Sequence, residues 1–204
     1  MEQSTNTVTL RGSLQELPRF SHENHKKRFF RFTLEVPRLS GTVDYLPIIA
    51  EEAIINSIDP TAGDMLTVTG QIRSRNHRTD GVRHLMIFVF ASTITAECAE
   101  PLNEVELTGF VCRTPNFRRT PLGREICDVI LAVPRAFRRA DYLPCIFWGR
   151  TAQEVAASQV RDSIHICGRL QSRNYTKQTP DGPMENIAYE ISALTADVWP
   201  AEEQ

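Results

Sequence analysis

The stretch GQIRSRNH, residues 70–77, recurs as GRLQSRNY, residues 168–175, and this repetition decides the fold. The flanking sequence repeats with it. Residues 6–49 align with residues 103–146 at a constant offset of 97, and 15 of the 44 aligned positions are identical. Repetition at a fixed period marks a duplicated structural unit. The 204-residue chain is therefore predicted to contain a first unit, residues 1–98, and a second unit, residues 103–199, each the size of a small domain.

Each unit shows the alternation of apolar and polar residues that is typical of half-buried antiparallel strands. The alternating stretches are residues 8–14, 30–36 and 66–72 in the first unit and 105–111, 127–133 and 164–170 in the second. One stretch per unit has helical spacing instead, residues 50–58 and 149–160. Five strands with a helix between the third and fourth is the layout of an OB fold. The predicted fold class is all-β with one short helix per unit, in two tandem five-stranded OB-fold barrels.

Four glycines lie inside the predicted strands, at Gly12, Gly70, Gly109 and Gly168. Glycine weakens a regular strand, and inside one it often marks a bulge or a sharp bend. A small closed barrel needs such bends at its corners. These glycines therefore support the barrel over a flat sheet.

Composition excludes several functional classes. No apolar run approaches the ~20 residues of a membrane span, and the N-terminus lacks the pattern of a signal peptide, so a cytoplasmic location is expected. The five cysteines include no CxxC pair, and the five histidines form neither HxH nor HExxH, so no metal is expected. No glycine-rich phosphate loop occurs. The sequence predicts a protein without cofactor or enzymatic activity.

The second unit resembles the bacterial single-stranded-DNA-binding protein family. Five stretches carry the resemblance in the family's order and near its spacing: NEVELTGFV (103–111), TPNFRRTPLG (114–123), DVILAVPR (128–135), DYLPCIFWGRTAQEVA (141–156) and IHICGRLQSRNY (164–175). The first unit resembles the family mainly through the repeat. The resemblance implies single-stranded DNA binding with little sequence preference, which would coat and protect DNA in replication, recombination or repair near the bacterial nucleoid. It also implies four OB folds per assembly, hence a homodimer.

Binding a single strand requires cations along the phosphates and flat aromatic faces for the bases. The second unit offers the cations Arg118, Arg119, Arg138, Arg139, Arg150, Arg169, Arg173 and Lys177. The resemblance assigns base stacking to Trp148, Tyr142 and Tyr175. Phe147 precedes Trp148 in a strand, so the two must face opposite sides, and Phe147 is predicted to be core.

The first unit retains part of this pattern. Tyr45 matches Tyr142, whereas Glu51 takes the place of Trp148 and His77 that of Tyr175. Arg73 and Arg75 alternate onto one side of a strand, which makes a directed basic strip a candidate beside an ordinary solvated face. We expect the first unit to bind DNA less well or to use another surface.

A second interpretation remains open from the sequence. Proteins related to this family act as primosomal replication modules, in which the OB surface chiefly holds protein partners and contacts DNA weakly. Family members commonly end in a linker and an acidic tip that recruits replication proteins, whereas this sequence ends DVWPAEEQ. Recruitment of replication proteins is therefore not expected.

Overall fold

Twelve strands and two short helices account for most of the described chain. The computed structural model describes residues 6–79, 82–179 and 182–201, without side chains at positions 78, 79, 82–84, 177 and 179. The strands are β1 (Asn6–Leu14), β2 (Arg19–Asn24), β3 (Lys27–Pro37), β4 (Val43–Glu51), β5 (Met65–Thr79), β6 (Val82–Ala96), β7 (Leu102–Val111), β8 (Asn116–Arg119), β9 (Glu125–Arg135), β10 (Arg139–Trp148), β11 (Ser163–Thr179) and β12 (Gly182–Trp199). The helices are α1 (Glu52–Asn56) and α2 (Gly149–Ala156).

The first barrel closes through five of its strands. β1 pairs with β3 and β5, β3 with β4, and β5 with β6, all antiparallel, while a short parallel pairing of β4 with β6 completes the ring. β2 pairs only with β3 and lies outside the ring. Along β1, Val8, Leu10, Gly12 and Leu14 are buried while Thr9, Arg11 and Ser13 are only partly buried, which is the predicted alternation.

The second barrel repeats this topology. β7 pairs with β9 and β11, β9 with β10, β11 with β12, and β10 runs parallel to β12, with β8 added at the edge of β9. Each helix follows the third strand of its ring, α1 after β4 and α2 after β10. The prediction of two five-stranded OB-fold barrels with one helix each is confirmed. Neither helix in the described ranges has the length and apolar character needed to cross a bilayer.

Two of the strand glycines occupy positions where no side chain fits. The β5–β6 register shifts beside Gly70 and the β11–β12 register shifts beside Gly168, so both lie at bulges. A Cβ atom at Gly70 would overlap the carbonyl oxygen of Phe90, and one at Gly168 would overlap that of Ser192. Since those oxygens belong to the backbone, neither can move aside cheaply, and glycine is required for the bend.

The two barrels share one continuous sheet. β1 pairs with β7 antiparallel, from Asn6 opposite Leu107 to Arg11 opposite Leu102. β3 pairs with β1 only at Ser13 and Leu14, and β9 pairs with β7 only at Phe110 and Val111, so the β1–β7 pairing covers the remaining free side of each strand. Because hydrogen bonding continues across this junction, the division of the chain into units 1–98 and 103–199 stays a prediction.

A buried carboxylate of the first unit also fastens the repeated SRN stretch of the second. Asp44 is fully buried, and Arg38 donates to both of its oxygens at 2.7 and 2.6 Å. The backbone N–H of Ser172 donates to Asp44 Oδ1 at 2.7 Å, with the Ser172 hydroxyl 3.2 Å from the same oxygen. A buried carboxylate is stable only with such partners.

The second unit makes the reciprocal contact. Asp141 is fully buried and accepts from the backbone N–H of Ser74 at 2.7 Å, while Arg73 and Arg135 donate to it at 3.1 and 3.3 Å. We call the pairs Asp44–Ser172 and Asp141–Ser74 the Asp–Ser clamps. Two stretches that are identical in both units, DYLP and SRN, therefore contact each other across the unit junction.

Candidate nucleic-acid interface

An open groove of about 620 Å³ lies on the outer face of the second barrel, at its junction with the first unit. We call it the second-unit groove. Both units contribute side chains to it; those used below are Trp148, Arg118, Arg173, Asp128 and Glu190 from the second unit and Arg38 and Tyr45 from the first. The groove therefore combines aromatic faces with arginines, the two components that single-strand binding needs.

Trp148 ends β10 and points outward, whereas its neighbour points into the core. Phe147 is completely buried and Trp148 is 40% exposed, so the predicted division between a core ring and a surface ring is confirmed. The indole Nε1–H of Trp148 donates to the Ser192 hydroxyl at 3.2 Å. This hydrogen bond holds one edge of the indole on β12 while the side chain stays accessible from the groove.

The tyrosine that shares the groove with Trp148 comes from the other unit. Tyr45 lines the groove because its backbone N–H donates to the Ser172 hydroxyl at 3.1 Å, beside the clamp. Tyr142 lies six residues before Trp148 on β10, about 20 Å along an extended strand. Its own backbone N–H donates to Ser74 of the first unit at 2.8 Å. The clamps thus place each tyrosine against the opposite unit.

Carboxylates accompany two arginines of the groove. Arg118 donates from Nε to Asp128 at 2.7 Å, and Arg173 Nε lies 3.9 Å from a Glu190 oxygen. Burial raises the pKa of Glu190 above its ordinary value, against the opposing effect of Arg173. Asp128 also raises the pKa of Glu190, because two nearby carboxylates disfavour each other's charge. The groove is therefore cationic at its rim and partly neutralised inside.

Other predicted cations lie on the surface around the groove. Arg119 pairs with Glu125 at 2.7 Å and Arg150 with Glu154 at 2.8 Å, and both arginine side chains are mostly exposed. Exposed pairs of this kind contribute less than about 1 kcal/mol, so a phosphate can replace the carboxylate. Arg138 and Arg139 follow β9, are exposed, and have no ion pair within the described part of the chain.

Arg169 on β11 is a half-buried cation whose Nε atom is buried and has no hydrogen-bond partner among the described residues. It borders a pocket that also contains Trp148 and Arg124, and on its other side a pocket that contains Arg38. Buried donors in proteins are nearly always satisfied, which makes the Nε–H of Arg169 a candidate donor to a phosphate oxygen.

The remaining candidates lie on the two long hairpins. Tyr175 is 39% exposed, with the Arg173 guanidinium 5.9 Å from its ring centroid. Arg73 donates to buried Asp141 and is only 19% exposed, so its main contact is structural. Arg75 and His77 are exposed on β5. The predicted side chain of Lys177 lies outside the described residues.

Sequence reasoning did not include Arg38, Asp128 or Glu190 in the candidate site. Arg38 follows β3 of the first unit and enters the groove through the unit junction, which no local pattern reveals. Asp128 lies between buried Cys127 and Val129 on β9, and that outward position was the available signal. Glu190 on β12 shows no such alternation.

Comparison with known proteins identifies the family of the second unit. Residues 102–197 match the model of the single-strand binding protein family. Single-stranded DNA-binding protein B of Bacillus subtilis is 34% identical over 102 residues, which cover 47% of this chain and 85% of the relative. Single-stranded DNA-binding protein A of the same organism is 39% identical over 84 residues, covering 38% of this chain and 49% of the relative. The chain belongs to the single-strand binding protein family.

The similarity to solved structures extends over both barrels. The crystal structure of wild-type single-stranded DNA binding protein from Thermus aquaticus superposes with a TM-score of 0.77 at 21% identity, covering 98% of this chain and 97% of that one. This likeness establishes a shared two-barrel fold. The chain spans about half the length of the curated relatives that it matches first.

Proposed function

We propose that this protein binds single-stranded DNA with little sequence preference and coats and protects it during replication, recombination or repair. The observation that carries the proposal is the second-unit groove, where Trp148 and Tyr45 share one open surface with Arg38, Arg118 and Arg173. Aromatic rings stack on any base and arginines pair with any phosphate, so such a surface tolerates all sequences. Family membership supports the same function and supports the absence of enzymatic activity.

The binding step is an exchange of partners. Phosphates replace Asp128 and Glu190 as acceptors for Arg118 and Arg173, and the displaced counterions drive association. Bases then stack on Trp148 and Tyr45. Arg38 keeps Asp44 as its partner, because the hydrogen bonds that it donates to this carboxylate hold it in place and raise the pKa of the guanidinium.

Titration of a fluorescent oligo-dT with the purified chain tests this proposal. We expect saturable binding at low salt, with a similar affinity for mixed-sequence oligonucleotides. Failure to bind any single-stranded oligonucleotide at low salt would overturn the proposal and leave the protein-interaction module as the better account. Equal affinity for duplex DNA of the same length would also contradict it, because paired bases cannot stack on the groove.

We further propose that two chains associate into a homodimer with four OB folds, located in the cytoplasm at exposed DNA. The support is the four OB folds per assembly that the family resemblance implies, together with the two barrels in this chain. We also propose that Tyr142, Tyr175, Arg138, Arg139 and the other surface cations extend the DNA path beyond the groove.

A further inference from the structure

Strand register defines which residues of the first unit stand in the positions of the groove residues of the second. On the second barrel, Asp128 pairs with Ile146 on β10, and Ile146 pairs with Ser192 on β12. On the first barrel, Arg31 pairs with Ile49 on β4, and Ile49 pairs with Phe90 on β6. Arg31 therefore stands in the place of Asp128, and Phe90 in the place of Ser192.

The comparison also holds two residues earlier on β6 and β12. Glu190 precedes Ser192 by two residues on β12, and Phe88 precedes Phe90 by two on β6, so each pair shares one side of its strand. The residues between them, Ile191 and Val89, are both fully buried. The first unit thus has a cation and a ring where the second-unit groove has its two carboxylates. The carboxylate that it gains, Glu51 in the place of Trp148, pairs with Lys27 at 2.8 Å.

The aromatic side chains on this face form a connected set. The ring of Phe90 is 36% exposed and lies 5.7 Å from that of Phe29, on which the His22 imidazole stacks at 4.9 Å. Phe88 is half-buried and lines a pocket of about 850 Å³ together with Arg31 and Tyr175. None of the residues lining that pocket is acidic. A ring-rich surface with an unopposed arginine suits nucleobases and phosphates.

The contact between Arg173 and Tyr175 links this pocket to the second-unit groove. Arg173 lines the groove, and its guanidinium lies over the ring of Tyr175, which lines the pocket. A strand that leaves the groove past Arg173 reaches Tyr175 next and then Phe88. This link to the groove and the absence of acidic residues in the pocket favour the same polyanion over a protein partner.

We propose that the first unit carries its own site for single-stranded DNA, with Phe88 and Phe90 as stacking faces and Arg31 as the phosphate-binding cation. The proposal rests on the function proposed above. In the first unit, the bases would stack on β6 and not at the end of β4, where Glu51 takes the place of Trp148. One DNA strand would then cross both units of the chain, entering the second site from the first through Arg173 and Tyr175.

The test compares oligo-dT binding in full-length variants. Trp148→Ala weakens the second-unit groove, and this variant should still bind at low salt. Adding Phe88→Leu and Phe90→Leu, which keep apolar volume but remove the flat faces, should weaken binding about tenfold further. In the same background, Arg31→Ala should lower the steepness of the log–log salt dependence by about 1. Met86 lines the same pocket and has neither a ring nor a charge. Met86→Leu therefore serves as the control, and we expect its affinity to be unchanged.

Three outcomes would overturn the inference. One is complete loss of binding in Trp148→Ala, and another is equal affinity with and without the two Phe→Leu changes. The third is a change in molar mass rather than affinity on replacing Phe88, Phe90 or Arg31, which would assign the pocket to contact between copies of the chain. Oligo-dT binding by the wild type is measured in the same experiment. If the wild type binds, these outcomes reject only the site on the first unit; if the wild type does not bind, the proposed function itself fails.

Discussion

Glu190 lies where a bound strand would bring its phosphates, and its side chain is only 19% exposed. Burial raises the pKa of Glu190, so its proton is held more readily in the folded protein than in an unfolded chain. The charged groups around it are Arg173, Arg118, Arg38 and Asp128. A neighbouring phosphate would raise this pKa again. Protonation of Glu190 and DNA binding should therefore favour each other.

The corresponding prediction concerns pH. Affinity for oligo-dT should be highest in mild acid and should fall as pH rises through the raised pKa of Glu190, because the ionised carboxylate competes with phosphate for Arg173. Glu190→Gln should bind several-fold more tightly than the wild type near neutral pH and should show a flatter pH profile. Titrations at constant ionic strength measure both. Weaker binding by Glu190→Gln at neutral pH would show that the carboxylate organises the groove instead of opposing DNA.

Trp148 is the largest aromatic surface in the second-unit groove, so its replacement should have a clear effect. Trp148→Ala should weaken oligo-dT binding by about 1–3 kcal/mol, or roughly 5- to 150-fold, as for other stacking residues. Trp199→Phe, at the end of β12 and outside the groove, is the matched control and should bind normally. Circular dichroism checks the fold of both variants. Unchanged affinity in a folded Trp148→Ala protein would assign Trp148 to packing.

Among the secondary-structure elements, the Asp–Ser clamps explain how the two barrels hold a fixed relation. Each clamp joins the start of a third barrel strand in one unit to the long hairpin of the other. Tyr45 follows Asp44 and Tyr142 follows Asp141 in the sequence. Each tyrosine donates its backbone N–H to the clamp serine of the opposite unit, and this hydrogen bond fixes its position there. Geometry at the groove therefore depends on contacts at the unit junction.

Breaking one clamp should cost stability. Asp44→Asn removes the charge that Arg38 and Ser172 share, and loss of one partner from a buried pair typically costs about 3–5 kcal/mol. Asp128→Asn, which removes a half-exposed partner of Arg118, should cost less than about 1 kcal/mol and serves as the control. Urea unfolding followed by far-UV circular dichroism measures the free energy of unfolding. Equal losses in the two variants would contradict the structural role of the clamp.

The elements themselves were largely predictable, because their causes are local. Period-two alternation identified the barrel strands, and glycines such as Gly70 and Gly168 identified the bends. Because neighbouring residues of a strand face opposite sides, the sequence also predicted that Phe147 is buried while Trp148 is exposed. The unpredicted features are those between units: Tyr45 reaches the groove of the other unit, and Arg73 pairs with Asp141. These contacts join residues far apart in the chain, and no local pattern encodes them.

For the whole molecule, the pairing of β1 with β7 joins two barrels of the same topology within one chain. If the assembly contains four barrels, two chains suffice. Light scattering of the purified protein should give a molar mass of twice 23.1 kDa, with or without oligonucleotide. A monomer at all concentrations would contradict the homodimer while leaving the groove intact.

The central claim, that the groove binds single strands through arginines and stacked bases, is tested most directly by the salt dependence of oligo-dT affinity. Each phosphate contact on a single strand contributes about −0.7 to the slope of log affinity against log salt. The two groove arginines that exchange carboxylates for phosphates, Arg118 and Arg173, predict a slope of about −1.4 or steeper, accompanied by a change in tryptophan fluorescence as bases stack. Affinity that is independent of salt, or binding that leaves the tryptophan fluorescence unchanged, would contradict the account.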